Sequence, residues 1–260
     1  MNIVSHQYQA SSLARQKISS TQQVHCWFYP LDQAQFWPDL ADRNALSMHE
    51  RNKSESFYRE DLKAHYRQAH LGKRYILSRY LQHAAHELQF IDQQYGKPEL
   101  SKNTNIDNYH FNLSHSHGWA CLAIANTAVG VDVEYINPAS QWQELCRMVC
   151  HSSDQIHDAE TFYQTWSGKE AASKWDGRGL GIEFTQLSLT PLTRSHPNAY
   201  KALHDKEKGF QCWVYSIANH YGLAAALASA ERLLQIDCFY PVLADSSSHH
   251  AQSKTNPVNS

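Results

Sequence analysis

The segment FNLSHSHGWACLAIANTAVGVDVEYI, residues 111–136, restricts the fold more than any other part of the chain. FNLSH and WACLAIA (119–125) are apolar strand-like runs separated by a Gly-containing turn, and NTAVG turns the chain again into VDVEYI. A strand points alternate side chains to opposite faces, so Val131, Val133 and Tyr135 share one face while Asp132 and Glu134 share the other. Both acidic residues are poor strand formers, and like charges this close repel unless water or a cation screens them. Taken alone the pair reads as a solvated edge face. The competing reading is a Mg²⁺ site, because Mg²⁺ takes one or two protein carboxylates together with waters and a substrate phosphate. A lone DxE strand needs a third oxygen ligand and a phosphate to support it.

The rest of the chain supplies candidates for both. VHCWFY (24–29) reads as a strand, and Ser47-x-x-Glu50 fits a capping box opening a helix. Leu71, Tyr75, Leu81, Ala84, Ala85 and Leu88 continue at helical spacing. YGKPEL (95–100) is a turn, QWQELCRMVC (141–150) and roughly 158–176 are helical, and FTQLSLT, QCWVYSIA and GLAAALAS return to strands. Helices and strands interleave in both halves, so the fold class expected is α/β (α+β). Residues 1–22 and 244–260 are polar and read as disordered tails, leaving an N-terminal lobe at 23–127 and a C-terminal lobe at 128–243.

Composition excludes several function classes. With 42% hydrophobic residues and a net charge of −2, nothing draws the 260-residue chain as a whole to nucleic acid or membrane. Its longest uncharged apolar run, LAAALASA at 223–230, is far short of a span, and the first twenty residues lack a signal-peptide core. A soluble cytoplasmic protein is expected. The charge is uneven, however: residues 43–79 hold nine Lys/Arg against four Asp/Glu, which suggests a local anion site. Cys26, Cys121 and Cys212 sit in apolar runs and read as core thiols. Cys146 and Cys150, one turn apart beside His151, give a weak metal signal, since structural zinc wants four such ligands.

Three further clusters carry chemistry. In WSGKEAASKWDG (166–177), Trp166, Glu170 and Lys174 lie on one helix stripe, with Lys169 beside it. The plain reading is a surface Glu–Lys pair. The Trp instead points to partial burial, which would let Glu170 complete a carboxylate set and Lys174 meet a phosphate. In NLSHS, Ser114 and His115 can converge on an anion; a Ser hydrolase is rejected because the chain has no GxSxG elbow. In YGKP, Gly and Pro fix a turn that presents Lys97.

The order YGKP, FNLSHS, GVDVE, WSGKEAASK closely resembles the phosphopantetheinyl transferases of the Sfp type, over most of residues 45–230. The resemblance implies two pseudo-symmetric α/β lobes with the active site between them. It implies transfer of the 4′-phosphopantetheine arm of coenzyme A to a serine of an apo acyl or peptidyl carrier protein. It further implies Mg²⁺ (Mn²⁺ as a substitute) held by Asp132, Glu134 and Glu170, with Glu170 as base and Lys174 on the pyrophosphate. Coenzyme A would meet Lys97, Ser114, His115, Asp132 and Lys174, and, from the basic segment, Arg51 and Lys53, with Lys63, Arg67 and Arg74 behind them. The carrier would meet the segment after GVDVE, around Trp142, Leu145, Met148 and Val149, with Arg147 nearby. A monomer is expected, with no nucleic-acid or membrane partner. The alternatives are an inactive relative that binds coenzyme A without turnover, and nucleic-acid binding through 43–79.

Overall fold

The computed structural model describes residues 2–33, 36–37, 45–177, 183–191, 199–203, 209–216, 223–229 and 235–243. The first sheet runs β1 (Asn2–Tyr8), β12 (Gln235–Pro241), β2 (Gln23–Pro30), β6 (Trp119–Ala125), β5 (His110–Ser116). The second runs β7 (Gly130–Tyr135), β11 (Leu223–Ser229), β10 (Gly209–Ser216), β9 (Ala199–Leu203), β8 (Ser188–Pro191), and β3 (Phe90–Asp92) pairs with β4 (Pro98–Leu100) as a separate hairpin. Four α-helices, α1 (Met48–Glu55), α2 (Glu60–Leu81), α3 (Trp142–Val149) and α4 (Ala159–Asp176), complete the described α+β fold.

Period-two patterning on the strands sorts the core into three clusters, and these order the layers. On β2 and β6, Trp27, Tyr29, Leu122 and Ile124 pack with Tyr75, Ile76, Leu77 and Tyr80 of α2. The alternate residues Cys26, Phe28, Cys121 and Ala123 face Val131, Val133, Ala225 and Leu227 of the second sheet. Ala226 and Ala228 of β11 then receive Ala171 and Ala172 of α4. The order is therefore α2, first sheet, second sheet, α4. Both faces of β7 are covered, which overturns the solvated-edge reading: Asp132 is 2% exposed.

Two glycines set close approaches. A Cβ at Gly130 would overlap the Ala171 carbonyl oxygen and the Trp175 amide, so α4 can lie directly on the start of β7 only because residue 130 has no side chain. A Cβ at Gly72 would run into the rings of Tyr29 and Trp37.

Several expectations are corrected. Residues 2–8 are not a tail: they form β1, parallel to β12 in register Asn2 with Gln235. Nor does the C-terminal segment stay with its half of the chain, because β12 inserts between β1 and β2. Asp237, 3% exposed, explains the seating: it accepts hydrogen bonds from Gln23 (2.7 Å) and Gln235 (2.8 Å) and lies 2.8 Å from His6 Nε2. Residues 244–260 lie outside the described residues. The basic segment forms two helices, and the second ends at Gln82 (φ 57°), whose N–H donates to Ser78, so Ala84, Ala85 and Leu88 follow the helix rather than extend it. Phe184–Gln186 is a 3-10 turn and the strand starts at Ser188. Cys146 and Cys150 face each other across one helical turn with Cα atoms 4.9 Å apart, and among the described residues no group of three or more His, Cys, Asp or Glu side chains gathers around them to hold a metal. Cys26, Cys121 and Cys238 are buried free thiols.

Candidate active site

The site grows from the abutment of β5 and β7, the facing outer strands of the two sheets. Strand β7 delivers Asp132 and Glu134 toward α4. That helix starts at a capping box, with Asp158 accepting from the Thr161 N–H, and projects Trp166, Glu170 and Lys174 along one stripe. The ammonium of Lys174 lies 2.5 Å from Asp132 Oδ1 and donates to Ser114 Oγ at 2.9 Å. Ser114 Oγ in turn donates to Asp132 Oδ1 at 2.8 Å. Asp132 Oδ2 is buried with no hydrogen-bond partner among the described residues. Glu134 Oε2 accepts from Ser116 Oγ at 2.9 Å, and the Trp166 indole also hydrogen-bonds Glu134.

Three carboxylates thus share one partly dry cleft with one ammonium. Burial first, and then the charge of Asp132, pushes Glu134 up to about 7. The same two causes, in the same order, raise Glu170, with Lys174 opposing them. In this conformation no group of three or more His, Cys, Asp or Glu side chains among the described residues converges as a metal cage. The donor set nevertheless suits a hard divalent cation: oxygen ligands only, an excess of negative charge, and a buried carboxylate oxygen without a partner.

The second part of the site is a cavity of about 880 Å³ between α1, α2, the β3–β4 hairpin and β5. Its walls include His49, Lys53, Tyr66, His70, His86 and His115. His115 stands on the rim of the cavity, where partial desolvation by the surrounding walls, followed by the charges of Lys174 and His65, lowers its pKa. Lys53 is exposed, with its ammonium 6.0 Å from the Phe57 ring centroid. A volume of this size lies within the range of small-molecule sites.

The basic segment proves less available than its charge suggests. Glu50 is buried and binds Lys73 Nζ at 2.8 Å and Arg74 Nε at 2.7 Å. Arg67 pairs with Glu55, Lys63 with Glu60 at 2.6 Å, and Arg59 with Asp61. Lys63, Arg67 and Arg74 are therefore tied to carboxylates. Arg51 is half-buried and is not among the residues lining the cavity.

Lys97 also departs from its expected place. It is not a lining residue of the cavity; its ammonium donates to the carbonyls of Val129 (3.1 Å) and Trp175 (3.4 Å), bracing the hairpin against β7 and the end of α4. Burial lowers its pKa to about 8. Lys169 turns away as well, fully buried and 2.6 Å from Asp154. On α3, Met148 is 64% and Leu145 43% exposed, while Trp142 is half-buried against Phe162.

Reading the sequence passed over Asn112 and Ser116 and most of the cavity wall. The signal for the first two was present as the alternation Asn112, Ser114, Ser116 along β5.

Residues 128–228 match the model of the 4′-phosphopantetheinyl transferase superfamily, and residues 38–127 match that of the 4′-phosphopantetheinyl transferase N-terminal region. The 4′-phosphopantetheinyl transferase HetI of Nostoc sp. is 30% identical over 180 residues, 65% of this chain and 75% of the relative. The chain belongs to the 4′-phosphopantetheinyl transferases. The transferase Sfp of Bacillus subtilis is 25% identical over 181 residues, 62% of this chain and 77% of the relative, and the ffp transferase of the same species is 28% identical over 165 residues, 60% of this chain and 70% of the relative. GVDVE, WSGKEAASK and the α4–β7 contact that joins them fall within the superfamily match, and YGKP and FNLSHS within the N-terminal one. As a phosphopantetheinyl transferase of the Sfp type, the chain is an enzyme that uses coenzyme A and modifies carrier proteins. No described helix is long and apolar enough to cross a membrane.

Proposed function

We propose that this transferase is Mg²⁺-dependent, acts as a cytoplasmic monomer built as two lobes, and modifies an acyl or peptidyl carrier protein through the β7–α4 cleft. The observation that carries the reading is Asp132: buried, one oxygen held by Ser114 and Lys174, the other without a partner among the described residues, and close enough to Glu134 and Glu170 for its charge to raise both. Asp132, Glu134 and Glu170 would hold the metal. Bound there, Mg²⁺ supplies charge neutralisation for the pyrophosphate.

The chain's own groups do the rest. The cavity beside β5 takes the nucleotide end of coenzyme A, with Lys53 and His115 at its rim and Arg51 close behind. Lys174 releases Asp132 in exchange for the pyrophosphate and stabilises charge as it develops on the leaving group. Glu170 takes the proton from the carrier serine; burial, followed by the charge of Asp132, raises its pKa, which makes it a stronger proton acceptor than a free carboxylate. The serine oxygen bonds to the phosphorus bearing the pantetheine arm. The bond from that phosphorus to the bridging pyrophosphate oxygen breaks, and adenosine 3′,5′-bisphosphate leaves. The exposed apolar residues Leu145 and Met148 offer the carrier a docking face beside the cleft.

The test is to incubate the protein with coenzyme A, Mg²⁺ and a panel of apo carrier proteins and weigh the carriers. Gain of one phosphopantetheine mass is expected, lost on chelation. Asp132→Asn and Glu170→Gln should each slow transfer by at least about 10²-fold. Coenzyme A binding without turnover on any carrier would favour an inactive binding relative. Transfer that survives chelation would remove the metal from the mechanism.

A further inference from the structure

Strands β5 and β7 abut without a backbone ladder. In its place three side chains of β5 accept the amides of β7: Val131 N–H to Asn112 Oδ1 (2.8 Å), Val133 N–H to Ser114 Oγ (3.3 Å) and Tyr135 N–H to Ser116 Oγ (3.2 Å). The period of two on both strands keeps the three rungs in step. A hydroxyl has one proton and two lone pairs. Once Ser114 and Ser116 accept an amide, each is oriented to give its own proton to a carboxylate, Asp132 Oδ1 at 2.8 Å and Glu134 Oε2 at 2.9 Å respectively. The rungs thus join the sheets and aim the acidic residues in one act.

Ser114 already touches Lys174 and belongs to the reacting cluster. Ser116 contacts no cation among the described residues, and the mechanism above gives it no part. Its own position is tightly set. It ends β5 against a turn in which His117 (φ 47°) and Gly118 (φ 78°) both take left-handed conformations, and the Gly118 carbonyl accepts from Leu31 N–H at 2.7 Å. His117 then stacks on Tyr135, ring centroids 4.0 Å apart. The neighbour of Ser116 is pinned to the neighbour of Glu134, so the Ser116–Glu134 contact is held from both strands.

We infer that Ser116 is a positioning residue for Glu134, fixing through its hydroxyl the geometry with which that carboxylate meets the divalent cation. The inference rests on the metal reading of Asp132, Glu134 and Glu170. Mg²⁺ demands near-ideal octahedral geometry, so a ligating carboxylate free to swing binds it poorly. The ladder also gives the inference a reach beyond one contact. Asn112 and His115 of the same strand line the cavity, so β5 registers the nucleotide end of the substrate against the carboxylates through one rigid element.

Two variants isolate the hydroxyl. Ser116→Thr keeps it, and Ser116→Val has the shape of Thr without it. Mn²⁺ binding to the intact protein is measured by electron paramagnetic resonance in the presence of coenzyme A. The Mg²⁺ activation constant, the KM for coenzyme A and Tm are measured beside it. The Val variant should bind Mn²⁺ about 10–100-fold more weakly and recover kcat at saturating Mg²⁺, while the Thr variant stays within about threefold of wild type. Its KM for coenzyme A should move less than its Mg²⁺ constant. A Val variant with a lowered Tm but wild-type Mn²⁺ affinity has lost only a structural bond and overturns the inference. Equal Mn²⁺ affinity in wild type, Thr and Val overturns it while leaving the metal reading intact. A wild-type protein that binds no Mn²⁺ overturns the metal reading and this inference with it.

Discussion

Replacing Glu50 with Gln tests how the wall of the cavity is held. Glu50 is 4% exposed, and Lys73 and Arg74, which it joins, are 2% exposed each. One carboxylate oxygen meets Lys73 at 2.8 Å and lies 3.0 Å from His70; the other meets Arg74 at 2.7 Å and closes the Ser47 cap through the Ser47 amide at 2.9 Å. Burial works to raise the pKa of Glu50, but the His70 hydrogen bond and the charges of Lys73 and Arg74 outweigh it and hold the carboxyl far below the usual range. The carboxylate is therefore ionised and serves two buried cations. Gln keeps the shape and suits the capping position, so helix capping changes little. The charge is lost, and two cations stay in the interior without a carboxylate. Breaking a buried pair from one side costs about 3–5 kcal/mol. For a chain of this size that corresponds to a fall in Tm of about 6–20 °C. Urea unfolding monitored by tryptophan fluorescence measures it, and a second replacement, Lys73→Met, should return part of the loss by removing one stranded charge. Because Glu50, Lys73 and Arg74 all line the cavity, coenzyme A affinity should fall as well. A loss under about 1 kcal/mol in Glu50→Gln would show that the two cations do not depend on this carboxylate, and the account of Lys73 and Arg74 as held by Glu50 would fail.

Gly130→Ala should destabilise the protein by more than about 3 kcal/mol and abolish transfer, because the new methyl group drives α4 off β7 and separates Lys174 from Asp132; a folded, active variant contradicts the close approach. Burial lowers His25 to about 4, against the opposing charge of Asp237, so the unfolded chain takes up that proton first as pH falls below the ordinary 6.5. Stability should therefore drop by up to about 3 kcal/mol between pH 6.5 and 4, and His25→Asn should show a shallower fall over the same window. Met148→Asp, at an exposed position on α3, should raise the KM for the carrier about tenfold or more with the KM for coenzyme A unchanged, and equal carrier KM values would clear Met148 of a docking role.

The elements that sequence reading located are those whose signal is local. The alternation in 111–136 and the stripe in 158–176 come from residues a few positions apart, and β5, β6, β7 and α4 appear where their periodicity puts them. The elements it missed depend on distant chain. Asn2–Tyr8 is a polar, weakly patterned strand whose partner is more than two hundred residues away, and only the seating of β12 beside β2 makes it one. The helical reading past Leu81 failed because apolar spacing continued after the backbone had already turned at Gln82.

The same division runs through the site. By itself the sequence supplied the chemical types and their order: a hydroxyl and an imidazole on β5, two carboxylates on one face of β7, and a Glu and a Lys on one stripe of α4. Periodicity decides which side chains share a face, and that much needs no tertiary contact. Whether a face meets water, a cation or another element is decided by packing. Only the fold buried Asp132 under α4, gave Lys174 to Asp132 rather than to Glu170, turned Lys97 to the carbonyls of Val129 and Trp175, and spent most of the basic segment on internal carboxylates. A charge counted along the chain carries no record of its partner, because the partner is chosen in three dimensions by distance and desolvation.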